Sequence, residues 1–232
     1  MGTPPLNPAR LSTDLAGLFP AGAVAAELRG AGDAALLLPA EAQRLGQAVP
    51  KRVREFAAGR SCARRALAEF GIVDFPLEAA ADRRPIWPRG MVGSITHTAG
   101  FCAAVVADLT RASSLGIDSE AVCDVKEEIW PSICLPVEID WVHSLPPAEQ
   151  AAAAALIFSA KEAFYKCQYP VTHEFLGFHD VRAEAEGWGD RGSFRIHALR
   201  RVALQTPMAL RGHYLFHEQF VSAGMSFAPA ET

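Results

Sequence analysis

The sequence has no C-x-x-C pair, no excess of positive charge and no apolar run long enough to cross a bilayer. Its five cysteines, Cys62, Cys102, Cys123, Cys134 and Cys167, are odd in number and irregularly spaced. That argues against a disulfide framework or a zinc site and for a reducing cytoplasm. Cys62, Cys102 and Cys167 read as small core residues, and a catalytic thiol has no obvious partner. Met1 to Arg10 is Pro-rich without an apolar stretch, unlike a signal peptide. Ala151 to Phe158 is apolar but too short for a membrane span. The formal net charge is −4, whereas a nucleic-acid binder is usually basic.

What is present is enough apolar material for a core. Half of the 232 residues are hydrophobic, which suits one large domain or two small lobes. The charge is split unevenly. Residues 1–113 hold 13 Lys and Arg against 10 Asp and Glu, a balance of +3; residues 114–232 hold 9 against 16, a balance of −7. Such a split suits a first half that holds phosphates and a second half that holds a metal. Asp108 to Ser114 reads as a turn and linker, so the boundary is drawn between residues 113 and 114.

The first half opens with Leu15 to Leu38, expected as short strands or a strand pair, and a short helix over Ala40 to Ala48. Pro50 then starts a stronger helix to Phe70, with apolar positions at helical period and Gly71 where a C′ glycine would end it. Its other side carries Lys51, Arg52, Arg54, Arg60, Arg64 and Arg65, either a solvated face or a clamp for phosphate. Gly93–His97 and Phe101–Ala107 read as two strands joined by a turn. In the second half, Ala121–Ser144 is a loop or short helices suited to docking a partner protein. Pro146-Pro147 opens a long helix through Lys166 that Tyr169-Pro170 should end. Strands follow over His179–Glu186, Ser193–Leu199, Arg211–His217 and Phe220–Phe227.

Three stretches carry candidate chemistry. Leu115-Gly116-Ile117-Asp118-Ser119-Glu120 reads as a buried strand end on which Asp118 and Glu120 point one way and Ser119 the other. Either the two acids are solvated, or a cation sits between them; oxygen ligands suit a hard cation such as Mg²⁺. On Phe158-Ser159-Ala160-Lys161-Glu162-Ala163-Phe164-Tyr165-Lys166, residues Phe158, Glu162 and Lys166 share a helix face. Glu162 is then a third carboxylate with a lysine one turn on, or half of an ordinary surface ion pair. Gly93-Ser94-Ile95-Thr96-His97 ends a strand in polar side chains. His97 reads as a core histidine, since a triad with Ser94 would need two positions that lie on opposite strand faces, and Trp87 reads as a core plug.

Together these stretches resemble the 4'-phosphopantetheinyl transferases, closest to the enterobactin- and surfactin-type subgroup. That family carries G-[IV]-D-x-E, then K-E-A-x-x-K, preceded by a serine-plus-histidine strand end. All three occur here in that order, between about Arg52 and Lys166. Many relatives have tryptophan where Phe158 stands. The resemblance implies an α+β fold of two similar lobes in pseudo-twofold arrangement. Each lobe would be a small, mostly antiparallel sheet on a long helix, with the active site between them. It implies transfer of 4'-phosphopantetheine from coenzyme A to a serine of an acyl or peptidyl carrier protein, releasing adenosine 3',5'-bisphosphate. Asp118, Glu120 and Glu162 would hold Mg²⁺, with Asp118, Glu162 and Lys166 catalytic. Arg52, Arg60, Arg84, Ser94, His97 and Lys161 would hold coenzyme A, and Arg54 and Arg65 stay on the surface. The expected protein is a cytoplasmic monomer, partnered by an acidic carrier-protein helix. Two rivals remain: another Mg²⁺-dependent phosphodiesterase or pyrophosphatase, and a non-catalytic carrier-binding module.

Overall fold

The computed structural model describes residues 8–43, 45–204 and 210–229. The Pro-rich opening up to residue 7 lies outside them. Two antiparallel sheets divide the strands. The first contains β1 (Arg10–Leu11), β2 (Val24–Arg29), β3 (Met91–Thr98) and β4 (Phe101–Asp108), in the order β1-β2-β4-β3. The second contains β5 (Ser114–Ala121), β6 (Val181–Glu186), β7 (Arg191–Ala198), β8 (Leu210–His217) and β9 (Phe220–Phe227), in the order β5-β9-β8-β7-β6. The fold is α+β.

Strand periodicity explains the layering. On β4, Cys102, Ala104 and Val106 pack against the long helix α3 (Pro50–Ala68), beside its Cys62, Ala63 and Leu67. The alternate residues Phe101, Ala103 and Val105 face the second sheet, meeting Leu115, Ile117 and Phe220. The Phe101 and Phe220 rings stack with centroids 5.0 Å apart. The far face of the second sheet, including Phe194, Tyr214 and Met225, packs on α6 (Pro147–Thr172). Both faces of β4 are thus buried, which is why it reads as an unbroken apolar run.

The two halves share part of their path. In the first, β2 leads through α2 (Pro39–Ala42) and α3 to the hairpin β3–β4; in the second, β5 leads through α5 (Pro136–Ser144) and α6 to β6–β7 and then to the hairpin β8–β9. The hairpin's second strand lies beside the opening strand, β4 by β2 and β9 by β5. Both short helices open on Leu-Pro-x-Glu. Buried Glu41 accepts from Leu38 N (2.9 Å), Leu77 N (3.0 Å) and Arg64 Nη1 (2.6 Å). Buried Glu138 accepts from Leu135 N (2.6 Å), Ala183 N (2.6 Å) and Lys161 Nζ (2.7 Å). In each half the cation stands 23 residues beyond its acid.

Some expectations need correction. Leu15–Leu38 holds one sheet strand, β2, preceded by the four-residue helix α1 (Thr13–Ala16), because Ser12 caps that turn by accepting from Leu15 N. The short helix is only Pro39–Ala42. Pro170 does not end α6: the helix runs to Thr172 and stops where His173 turns left-handed, at φ 56°. A proline in the last turn forfeits a single helical hydrogen bond, so it is tolerated there. Ala121–Ser144 is two 3₁₀ turns followed by the short helices α4 (Trp130–Ile133) and α5. Gly71 takes the expected positive φ of 73°.

Candidate active site

The acids sit where the two sheets meet edge to edge. β3 and β5 are facing edge strands with no backbone ladder between them. Side chains alternate along β5 as expected. Ser119 is fully buried and its Oγ lies 2.7 Å from Ser222 Oγ, while Asp118 and Glu120 turn to the α6 side. Gly116 is required by close approach: a Cβ there would lie 1.9 Å from the carbonyl oxygen of Ala163 on α6. That contact puts Lys166 Nζ 2.7 Å from Asp118 Oδ1 and 3.2 Å from the Ile117 carbonyl.

The electrostatics show mutual repulsion held in check by one lysine. Burial, then Asp118, push the Glu120 carboxyl up to about 8, with Glu162 adding to the rise. Burial and Asp118 likewise raise Glu162. Burial alone would lower Lys166, but Asp118, Glu162 and Glu120 outweigh it and hold it above its ordinary value. Among the described residues no three His, Cys, Asp or Glu side chains are drawn close enough to hold a metal. Asp118 Oδ2 is nevertheless buried without a hydrogen-bond donor. An unsatisfied carboxylate oxygen flanked by two carboxyls with raised pKa values is a fitting site for a hard divalent cation.

Cavities open beside Lys166, Glu162 and His97. One of about 350 Å³ is walled by Arg84, Trp87, Ser94, Ile95, Tyr165 and Lys166. A smaller one, about 160 Å³, is bounded by Glu162, Tyr165, Phe175, Leu176 and Phe178. Tyr165 is common to both. A third, about 390 Å³, is lined by Lys51, Arg54, Glu55 and His97.

The residues expected to hold coenzyme A fare differently. Arg52 Nη1 lies 3.0 Å from His97 Nε2, so these two come together at the start of α3. Burial lowers the His97 pKa. Arg84 is at the first cavity, paired with Asp82 at 2.7 Å and 5.6 Å from the Tyr169 ring centroid. Trp87 is both plug and wall: it packs with the α3 core and would meet a Cβ on Gly93. Ser94 lines the cavity, but its buried Oγ accepts from Ile117 N (3.1 Å). Arg60 is not on an open basic face. It is 6% exposed, its guanidinium 3.8 Å from the Phe56 ring centroid and its Nε 3.0 Å from Leu77 O. Desolvation lowers its pKa to about 10, and its Nη2 is buried without a partner. Lys161 must be withdrawn from the coenzyme set. Only 2% exposed, it spends its ammonium on Glu138 (2.7 Å), Ile133 O (2.9 Å) and Phe178 O (2.9 Å). An ammonium has three donors, so none is left for a phosphate. Thr96, Thr98 and Tyr165 are at the site without having been singled out from the sequence. Period-2 spacing from Ser94 would have flagged both threonines.

Comparison with known proteins agrees with this geometry. Residues 40–107 match the 4'-phosphopantetheinyl transferase N-terminal domain, and residues 114–204 match the 4'-phosphopantetheinyl transferase superfamily. The chain is 35% identical over 220 residues to 4'-phosphopantetheinyl transferase Npt of Nocardia iowensis, covering 91% of this chain and 98% of that protein. It is 38% identical over 164 residues to PptT of Mycobacterium tuberculosis, covering 68% and 71%. Enterobactin synthase component D of Escherichia coli is 36% identical over 133 residues, covering 56% and 61%. The chain belongs to the 4'-phosphopantetheinyl transferase superfamily. It is a transferase of that kind, moving phosphopantetheine to a carrier protein.

Proposed function

We propose that the donor is coenzyme A, that the acceptor is a serine of an acyl or peptidyl carrier protein, and that the reaction depends on Mg²⁺. The observation that carries this is the cluster of Asp118, Glu120, Glu162 and Lys166 where the two sheets meet. Asp118, Glu120 and Glu162 would hold the ion, which when bound neutralises charge on the pyrophosphate. Lys166 faces the same place from α6 and offsets negative charge there. Glu162, with its raised pKa, suits removal of the proton from the incoming serine hydroxyl, a weak nucleophile without such help. Arg52 and His97 would hold phosphates of coenzyme A, with the unpartnered nitrogen of Arg60 behind them. Arg84 and the apolar walls around it would take the rest of the nucleotide end.

The same reading makes residues 1–113 and 114–232 two lobes related by a pseudo-twofold axis. The matched Leu-Pro-x-Glu caps support it, as does the shared three-strand core, β2-β4-β3 in one sheet and β5-β9-β8 in the other. Such a chain carries both halves of its site and works as a monomer. No helix among the described residues is long and apolar enough to cross a membrane. The site of action proposed is the cytoplasm, where five free cysteines stay reduced. The test is intact-mass analysis of several apo carrier proteins incubated with this protein, coenzyme A and Mg²⁺. Only transfer adds the phosphopantetheine mass to the carrier. Loss of coenzyme A with no change in carrier mass would mean hydrolysis instead.

A further inference from the structure

β3 and β5 meet without a backbone ladder, and hydroxyls take its place. From Ser94 onward, every second residue of β3 sends one to β5. Ser94 Oγ accepts from Ile117 N at 3.1 Å, and Thr96 Oγ1 accepts from Ser119 N at 2.9 Å. Thr98 Oγ1 lies 3.4 Å from Glu120 Oε2. An edge strand buried against another sheet must satisfy its outward amides, and the Ser94 and Thr96 rungs do so for Ile117 and Ser119.

Thr96 does something its neighbour Ser94 does not. A hydroxyl accepts with its lone pairs and donates its single proton. With Ser119 N–H as its donor, Thr96 directs its own proton to Asp118 Oδ1, 3.3 Å away. Lys166 Nζ reaches the same oxygen at 2.7 Å. Two donors from two elements therefore fix Oδ1, and Oδ2 is left buried with none. Thr96 is 1% exposed, so water does not compete for the hydroxyl.

We propose that Thr96, from the first sheet, is a positioning residue that fixes the Asp118 carboxylate of the second sheet so that Oδ2 is presented to the divalent cation. This rests on the metal reading above. It also makes assembly of the metal site depend on the alignment of the two sheets, since the orienting hydroxyl and the carboxylate belong to different ones. Partners that orient a ligand commonly govern metal affinity by about ten- to a hundredfold.

The test measures Mn²⁺ binding to the full-length protein by electron paramagnetic resonance, with coenzyme A binding and thermal melting beside it. Thr96→Val keeps the shape and loses the hydroxyl; it should weaken Mn²⁺ by about tenfold or more, with coenzyme A affinity in the absence of metal unchanged. Thr96→Ser keeps the hydroxyl and should stay within about twofold of the parent. Ser94→Ala removes the adjacent rung without touching Asp118, so its melting temperature should fall while its Mn²⁺ affinity holds. If Thr96→Val does not fold, Thr96→Cys, a poor donor of similar size, should show the same direction of effect. Parental Mn²⁺ affinity in the folded Val or Cys variant overturns the proposal. So does equal weakening in Ser94→Ala, which would mean displacement of the strand instead of loss of Asp118 orientation. A parent protein that binds no Mn²⁺, with or without coenzyme A, overturns the metal reading itself and the role of Thr96 with it.

Discussion

Binding of a divalent cation at the proposed Asp118, Glu120 and Glu162 site should expel a proton. Without a cation the Glu120 carboxyl sits at about 8, because burial and Asp118 both oppose its ionisation. At pH 7 it is then roughly nine-tenths protonated. A cation binds the carboxylate form, so each ion taken up at pH 7 releases close to one proton, and Glu162 adds to the number. Affinity should rise about tenfold per pH unit below the Glu120 value and flatten above it. The sign for stability follows from the same shift. The folded pKa lies above the unfolded one, so the metal-free folded chain binds more protons than the unfolded chain between about 4.5 and about 8. Its stability therefore falls as pH rises through that window. The full shift would be worth roughly 5 kcal/mol, but Glu120 is partly exposed and Lys166 is close, so about 1–2 kcal/mol is the realistic scale. Saturating Mg²⁺ should abolish the loss. The assay is calorimetric titration at pH 7 in two buffers of different protonation enthalpy, with melts at about pH 6 and about pH 8. Identical heats in the two buffers, together with an affinity that does not change between these pH values, would refute the assignment.

Three further outcomes are expected. Glu162→Gln keeps size and one ligand oxygen but cannot take a proton, so transfer should slow by about a hundredfold while coenzyme A still binds; normal transfer by the mass assay would remove the base assignment. Lys161→Met strands the Glu138 carboxylate in the core and should cost about 3–5 kcal/mol in urea unfolding; full stability with weakened coenzyme A binding would restore Lys161 to the phosphates. Gly116→Ala forces β5 off α6, since its Cβ would lie 1.9 Å from Ala163 O, and separates Asp118 from Lys166. Its transfer rate and its melting temperature should fall together, and an unaltered melt would show that the two elements part without cost.

Local periodicity accounts for what the sequence made legible. Asp118 and Glu120 share a strand face because side chains alternate, and Glu162 shares a helix face with Lys166 because it lies one turn away. Neither inference needs to know what packs against what. Period-2 spacing puts Thr96 on the face of Ser94, but its contact with Asp118 depends on β3 meeting β5, two edges that no local pattern pairs. The burial of Arg60 was not legible because a basic helix face looks the same whether water or a loop covers it, and here Leu77 and Phe56 cover it.

Lys161 is the instructive error, because the sequence did hold its correction. It stands next to Glu162, a turn of about 100° away on a helix, so it cannot share the face on which Glu162 and Lys166 lie. A second sign is the string Leu-Pro-x-Glu, present at Leu38 and again at Leu135. Counting 23 residues from each glutamate reaches Arg64 in one half and Lys161 in the other, both on the long helix. The first half has no acid pair corresponding to Asp118 and Glu120, yet Arg64 makes the same buried contact with its glutamate that Lys161 makes. A cation that recurs where there is no chemistry to serve is there to hold the short helix onto the long one. The first lysine of K-E-A-x-x-K is therefore architectural in this chain, and the cation of the motif that faces the acids is the second, Lys166.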